Sequence, residues 1–292
     1  MEFNNVIIWG HHKTLNTYSY IQGAFFRAFQ ELGYTTYWLD DTEDNTKIAD
    51  NIGPAIYITE GQVDKFIPLK KDCAYVTHNS VNSRYDGFRR LGIQVLTNQD
   101  PITEHSLVLS PVSHYEKSSR LLFFPWATDL LPNEFDFDGV LKTPKENFVY
   151  WVGTIAKVGT FENISEIQPF DNNCYKNGIL FRQVGGVSTE DNKSLVNKSY
   201  IAPTIVGKWQ KQVGFIPCRI FKNISYGELG ITNSEAISKI FGDLIVYEPD
   251  TGKILATVGD ERLNKERIIK GMKFVQENHT YINRVKDILQ VL

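Results

Sequence analysis

Cysteine is scarce in this chain. Cys73, Cys174 and Cys218 are odd in number and widely separated, which excludes a disulfide framework and fits no zinc-ligand spacing. A reducing compartment is therefore expected. Long apolar runs are also missing. No tract reaches the length of a membrane-spanning helix, and the N-terminus has no basic-then-apolar leader. These absences lead us to expect a cytosolic protein, in a cell or in the cytosol of a host. Basic charge is not in excess: 31 Lys and Arg stand against 34 Asp and Glu, a net charge of −3 with a pI near 6.1. Dedicated nucleic-acid binders usually show the opposite balance, so no nucleic-acid partner is expected. The densest basic stretch, Arg262, Lys265, Arg267 and Lys270, is interleaved with Glu261 and Glu266 and reads as a solvated helix face. There are no repeats or low-complexity tracts. Neither Gly-x-x-x-x-Gly-Lys-Ser/Thr nor Gly-x-Gly-x-x-Gly occurs after a strand, which argues against a P-loop enzyme and a dinucleotide oxidoreductase.

The composition that remains is that of a globular protein, 42% hydrophobic with 14 Tyr and 18 Phe among 292 residues, enough for two domains with separate cores. Val6-Ile7-Ile8-Trp9-Gly10 reads as a buried strand. A polar loop, His11 to Thr17, follows it. Tyr20, Ile21, Ala24, Phe25, Ala28, Phe29 and Leu32 then recur at helical spacing as far as Gly33, and Tyr34–Leu39 reads as a second strand. This strand–loop–helix–strand order opens a doubly wound α/β fold. Further strands are expected at Ala55–Thr59, Cys73–Thr77, Gln94–Thr97, Leu107–Leu109 and Arg120–Phe124. A second series starts at Phe148–Gly153, with strands at Ile179–Val184, Ile201–Ile205, Leu229–Thr232 and Leu244–Tyr247. Helices are expected at Phe161–Ile167, Asn192–Lys198, Cys218–Tyr226, Glu235–Phe241, Leu263–Asn278 and Tyr281–Leu292. Pro132–Lys145 lacks periodicity and reads as a linker. The expected domains are thus 1–140 and 146–280.

The run from Ile216 through Pro217, Arg219, Phe221 and Gly227 to Thr232 and Asn233 resembles a segment of GT-B glycosyltransferases, most closely their CgeB-like and family-4-like groups. Phe241–Asp250 is similar to that family's strand and acidic loop. His279-Thr280-Tyr281-Ile282-Asn283-Arg284 is similar to its His-Thr-Tyr-x-x-Arg tail. The resemblance implies two Rossmann-like domains facing across a cleft, the N-terminal one taking the acceptor and the C-terminal one the nucleotide-sugar donor. It also implies a last helix, about 281–292, that returns to the first domain. The implied activity is metal-independent transfer of a sugar from a nucleoside diphosphate to a hydroxyl of a glycan, lipid or small molecule, with no separate cofactor. Rival readings are a catalytically inactive nucleotide-sugar-binding protein of the same fold and a DNA glucosyltransferase. Lys222 stands where the family carries Glu, and Gly214 takes the second acidic position. An ammonium only donates hydrogen bonds, so the usual ribose contact does not carry over.

Arg219 and Lys222, one helical turn apart at a helix start, are candidates for the donor phosphates, with Asn223 beside them. Fixed cations and a helix N-terminus stabilise the charge that grows on a departing diphosphate. A surface pair that binds nothing is the plainer alternative. Gly153 and Thr154 at the exit of a strand, Arg182 on the next strand, and Gly10 complete the donor-side candidates. Tight strand exits account for the glycines equally well. His11, His12 and His78 follow strands of the first domain and are the candidate catalytic groups, as base or as hydrogen-bond partners of a sugar. Ordinary loop or packing roles remain open for them, as core packing does for Trp126. Asp40 and Asp41 are further candidates for a base. Retaining and inverting chemistry are not distinguished.

Overall fold

The computed structural model describes residues 3–59, 66–78, 90–98 and 102–292. The chain divides into two compact units, Met1–Pro125 with Tyr281–Leu292, and Trp126–Thr280. In the first unit, β1 (Asn5–Gly10) buries Val6, Ile7, Ile8 and Trp9 completely. A strand covered on both faces needs an unbroken apolar run rather than alternation. Helix α1 (Thr17–Glu31) starts at Asn16, whose side chain accepts from the Ser19 N–H while the Ser19 hydroxyl accepts from the Asn16 N–H. This reciprocal cap satisfies donors that the first turn leaves open. Ile21, Ala24, Phe25, Ala28 and Phe29 form its buried face. Gly33, at φ +89°, then turns the chain away in a conformation that L side chains avoid.

The chain continues through β2 (Thr35–Asp40), α2 (Thr46–Ile52), β3 (Ala55–Thr59), β4 (Ala74–His78), β5 (Gly92–Leu96), β6 (Ser106–Ser110), β7 (Ser113–Glu116) and β8 (Leu121–Phe123). Their spatial order is β2-β1-β3-β4-β5-β8-β7-β6. Neighbours from β2 to β8 are parallel, and β7 and β6 add an antiparallel edge. Strand order reverses between β1 and β3, and the loops that follow the parallel strands, those after β1 and β2 among them, lie at the carboxyl edge of the sheet, where doubly wound folds bind ligands.

The second unit contains β9 (Phe148–Val152), α3 (Ile164–Lys176), β10 (Leu180–Val184), α4 (Thr189–Lys198), α5 (Lys208–Gln212), α6 (Cys218–Ser225), β11 (Ile231–Thr232), α7 (Glu235–Phe241), β12 (Val246–Tyr247), α8 (Ile254–Val258) and α9 (Lys265–Asn278). β9 pairs with β10 and β11 with β12, both in parallel. The strand expected at Ile201–Ile205 is irregular. Tyr200 N–H donates to Phe148 O and Thr204 N–H to Ile231 O, so the segment lies between the two pairs. Pro203 has no N–H, and the Tyr150 N–H goes to the Ser199 hydroxyl instead of a carbonyl. A regular ladder cannot form there.

Helix α3 also departs from expectation, because it runs through Pro169 to Lys176. An interior proline costs about 3 kcal/mol. Burial of Ile167, Phe170 and Cys174 returns roughly 1.5–3 kcal/mol for each large apolar side chain, so packing wins. Residues 132–145 are not a free tether. Phe135 and Val140 belong to the core of the second unit, and the Val140 carbonyl accepts from the Asn197 amide.

The last helix, α10 (Tyr281–Val291), belongs to the first unit and packs on α1, with the Phe25 and Tyr281 rings edge to face at 4.7 Å. Arg284 is fully buried. Its Nε donates to Pro125 O at 2.8 Å, and it shares the site with buried Asp287, which accepts from the Ser113 hydroxyl. Desolvation lowers the Arg284 pKa to about 10, with Asp287 opposing that shift. Arg284→Met should leave the Asp287 charge uncompensated and lower the unfolding free energy by about 3 kcal/mol. Urea denaturation checks this, and a change below about 1 kcal/mol would contradict the assignment.

Candidate functional site

Two groups of polar side chains stand out, one in each unit. In the second unit, β9 ends at Val152 and Gly153 follows at φ +126°. The turn is pinned by Gly153 N–H to Val184 O at 2.8 Å and by Gln183 Nε2 to Gly153 O at 3.0 Å. Arg219, in the first turn of α6, lays its guanidinium over the Trp151 ring, with Cζ 3.9 Å from the centroid. The indole N–H of Trp151 donates to Thr154 O. A Cβ on Gly153 would lie 2.9 Å from Arg219 Nη2, so the absence of a side chain makes room for the guanidinium. Desolvation lowers the Arg219 pKa to about 10, which leaves it cationic at neutral pH. Among the described residues it has no hydrogen bond or ion pair. The result is a half-buried cation held by ring stacking, with its N–H donors uncommitted, at the positive end of a helix.

The other expected donor residues are placed differently. Lys222 is buried, with Nζ 3.9 Å from Asp129 Oδ2, and the Tyr226 hydroxyl donates to both Asp129 oxygens. The helix thus sends one cation to an internal carboxylate and leaves the other open. Asn223 is 4% exposed and donates to Ala202 O at 2.7 Å, so its amide ties α6 to the irregular segment. Arg182 is exposed and lies opposite Tyr150, on the face of the β9–β10 pair away from Trp151. Alternation along a strand separates it from Arg219. Thr154 contributes its carbonyl to Trp151. Trp126 is buried.

In the first unit, Asp40 at the end of β2 clamps the loop after β1. It accepts from the backbone N–H of His12, Lys13 and Thr42 and from the Thr42 hydroxyl. Burial alone would raise its pKa, but these bonds together lower it. A carboxylate so fully engaged is a poor base. Asp41 beside it differs. Burial holds its carboxyl above the ordinary range, His11 partly offsets this, and Asp40 adds to it. Its Oδ2 lies 3.9 Å from His11 Nε2, and its Oδ1 has no hydrogen-bond partner among the described residues.

On the other side of the His11 ring, Nδ1 meets the Asn16 amide nitrogen at 3.3 Å and the Thr14 hydroxyl at 3.4 Å. Asn16 Oδ1 is committed to the α1 cap, which orients its NH₂ toward the ring. The Asn16 amide nitrogen and the Thr14 hydroxyl thus meet Nδ1, while Nε2 faces Asp41. His11 stacks on Tyr18 at 5.7 Å, and Tyr18 meets His78 at 6.0 Å. The fold therefore groups His11, Tyr18, Asp41 and His78. His12 turns the other way and stacks on Trp38 at 4.6 Å, so the adjacent histidines do not converge on a common ligand. Gly10 is overlain by Gln22, whose amide occupies the space a Cβ would need. Among the described residues no group of three or more His, Cys, Asp or Glu is arranged to hold a metal, and no helix is long and apolar enough to cross a membrane.

Sequence reasoning missed Trp151, Tyr18, Asn16 and Asp129. Asn16 alone carried a local signal, as a capping residue before an apolar-periodic helix. The others depend on partners remote in sequence.

No protein-family model and no curated protein matches the chain. Solved structures do. An α-glucosyltransferase (AGT) in complex with UDP aligns over 98% of this chain and 99% of its own, at 9% identity and a TM-score of 0.61. The same enzyme with UDP and a 13-mer DNA containing an HMU base aligns over 99% and 100%, at 8% identity and a TM-score of 0.62. The fold is GT-B. AviGT4, a glycosyltransferase involved in avilamycin A biosynthesis, aligns over 99% of this chain and 98% of its own, at 10% identity with a TM-score of 0.49. Within this GT-B chain the groups just described lie at the ends of β1, β2, β4 and β9 and at the start of α6.

Burial lowers the His78 pKa to about 3, so its ring is neutral at physiological pH. Its folded pKa lies below the unfolded value of about 6.5, and the unfolded chain therefore binds the extra proton between those limits. The His78 contribution to stability is complete above about pH 6.5 and falls by up to roughly 1.4 kcal/mol per unit as the medium is acidified toward pH 3. Urea titrations at pH 6.5 and 5.5 should show this slope reduced in His78→Gln. An identical slope in the variant would refute the shift.

Proposed function

We propose that the chain transfers a sugar from a nucleoside-diphosphate donor to a hydroxyl acceptor. The observation that carries this reading is Arg219, a half-buried guanidinium stacked on Trp151, with donors that no described residue engages, at a helix start beside a side-chain-free turn. A diphosphate fits such a site, because its oxygens accept from guanidinium and backbone N–H groups. As the bond between the anomeric carbon and the diphosphate oxygen breaks, negative charge builds on the leaving group. Arg219 and the α6 N-terminus are already oriented to meet it, and this stabilisation needs no metal. The similarity to UDP-bound AGT supports a nucleotide donor, and the motif around Arg219 supports the CgeB-like likeness.

The acceptor belongs to the first unit in this proposal. Its hydroxyl oxygen forms the new bond to the anomeric carbon and gives up its proton. His11, whose ring lies 3.9 Å from the Asp41 carboxylate, receives that proton. Neutral His78 hydrogen-bonds a sugar hydroxyl. Lys222, engaged with Asp129, does not replace the family's ribose-binding Glu.

Release of nucleoside diphosphate from UDP-, GDP- and dTDP-sugars, with and without acceptors, tests the activity. In calorimetry, Arg219→Ala should weaken binding of the preferred diphosphate at least tenfold, as loss of a charged hydrogen-bonding partner does. Unchanged affinity would remove the proposed phosphate role. Gly153→Ala should weaken it as well, by pushing the guanidinium off Trp151. His11→Ala should lower kcat by about 10²-fold or more while leaving diphosphate affinity close to that of the parent protein. Full turnover in this variant would exclude His11 as the base.

A further inference from the structure

Beyond the Gly153–Thr154 turn, the Trp126–Thr280 unit carries features to which the proposed sugar transfer assigns no role. The loop after β9 folds back on itself, with Asn163 and Ile164 N–H donating to Ala156 O and Ala156 N–H donating to Asn163 Oδ1. Gly207 then lets the start of α5 lie directly on this loop, since a Cβ there would fall 1.9 Å from Glu162 O. The contact brings together aromatic rings from three separate stretches. Phe161 stands edge to face with Trp209 at 5.5 Å and with Phe215 at 6.4 Å.

Large apolar side chains assembled this way usually enter a core. Here Phe161 is 55% exposed, Trp209 39% and Val158 83%. Exposed rings held rigidly by other rings form a platform rather than a chance patch.

Charge around the platform is not that of the whole chain. Glu166 is paired with Lys211, and Glu162 keeps its charge while accepting from the Ser165 N–H and hydroxyl, so these stretches hold one more cation than anion. Lys157, in the same loop as Phe161, and Lys208, next to Trp209, are exposed and have no hydrogen bond or ion pair among the described residues. The surface thus offers flat rings for stacking and two uncommitted ammonium groups, although the full sequence has a net charge of −3.

We propose that this platform binds a single-stranded nucleic acid, with unpaired bases stacking on Trp209 and Phe161 and backbone phosphates meeting Lys157 and Lys208. Stacking requires bases freed from a duplex, and the combination of rings with separated cations suits a polymer that alternates rings and charges. A glycan chain would use the rings and leave the cations idle. A bare polyanion would use the cations and leave the rings idle.

Fluorescence anisotropy of a labelled oligothymidylate, at low salt and without any sugar donor, tests the assignment. Binding should occur, and Phe161→Ala and Trp209→Ala should each weaken it about tenfold. Lys157→Glu with Lys208→Glu should also weaken it. With two phosphate contacts removed, the log–log salt dependence should flatten by roughly 1.4. UDP affinity, measured separately by calorimetry, should stay constant in all three variants. All four side chains are solvent-exposed, and an unchanged thermal midpoint confirms that each variant is folded. No binding of the strand by the parent protein would overturn the proposal. So would equal displacement by inorganic polyphosphate with no effect of the ring substitutions, which would mark the site as charge alone. Loss of UDP binding in step with strand binding in Trp209→Ala would assign the rings to the donor nucleotide instead. The readout uses no turnover, so its failure leaves the transferase reading standing, and failure of that reading leaves this one.

Discussion

The stacking of Arg219 on Trp151 is the contact on which the functional reading depends. A guanidinium in a half-buried place normally finds a carboxylate or several carbonyls. Here the ring face supplies the attraction, through its quadrupole, and takes up none of the N–H donors. That distinction matters chemically. A salt bridge would neutralise the cation, whereas a stacked guanidinium keeps its charge and hydrogen-bonding capacity for a ligand. Its position rests on a chain of lesser constraints. Thr154 O holds the indole, the Val184 carbonyl and Gln183 amide hold the turn, and Gly153 gives the guanidinium room.

Charge in the rest of that unit is managed in the ordinary way. Lys222, Lys145 and Lys211 meet Asp129, Glu228 and Glu166 respectively. Burial pushes the Glu228 carboxyl up to about 7, and Lys145 and Arg262 oppose that push. Against this background of compensated charge, an uncompensated and immobilised cation is conspicuous. Buried charges that serve only the fold find partners.

The first unit shows the same contrast between two adjacent carboxylates. Asp40 spends its acceptor capacity on the backbone of the loop after β1 and so fixes that loop in place. Asp41 is desolvated, faces the His11 ring with one oxygen, and has no hydrogen-bond partner for the other among the described residues. Asp40 closes β2 and Asp41 opens the turn after it, and the two identical side chains meet different partners. The Asn16 amide serves helix and site together, capping α1 with its oxygen and orienting His11 with its nitrogen.

Local pattern by itself determined much of the architecture. Val6–Gly10 and Phe148–Gly153 announce buried strands because consecutive apolar residues are tolerable only where both faces are covered. The helical spacing from Tyr20 to Leu32 and the bounds of Glu235–Phe241 were legible for the same reason, namely that burial imposes a period on the chain. Hence the doubly wound class could be read before any coordinates, whereas the GT-B layout came from the resemblance carried by Ile216–Asn233 and the His279–Arg284 tail. Tertiary structure alone decided the roles of side chains. Arg219, Lys222 and Asn223 are near neighbours on one helix with equal claims from their sequence. Asp129 draws the lysine inward, Ala202 O takes the asparagine, and Trp151 holds the arginine at the surface. Each deciding partner lies on another element, and Pro169 shows the same force acting on the backbone, since core packing around α3 overrode a local helix breaker. Periodicity reports which face of an element is buried. It carries no record of which distant group waits on that face.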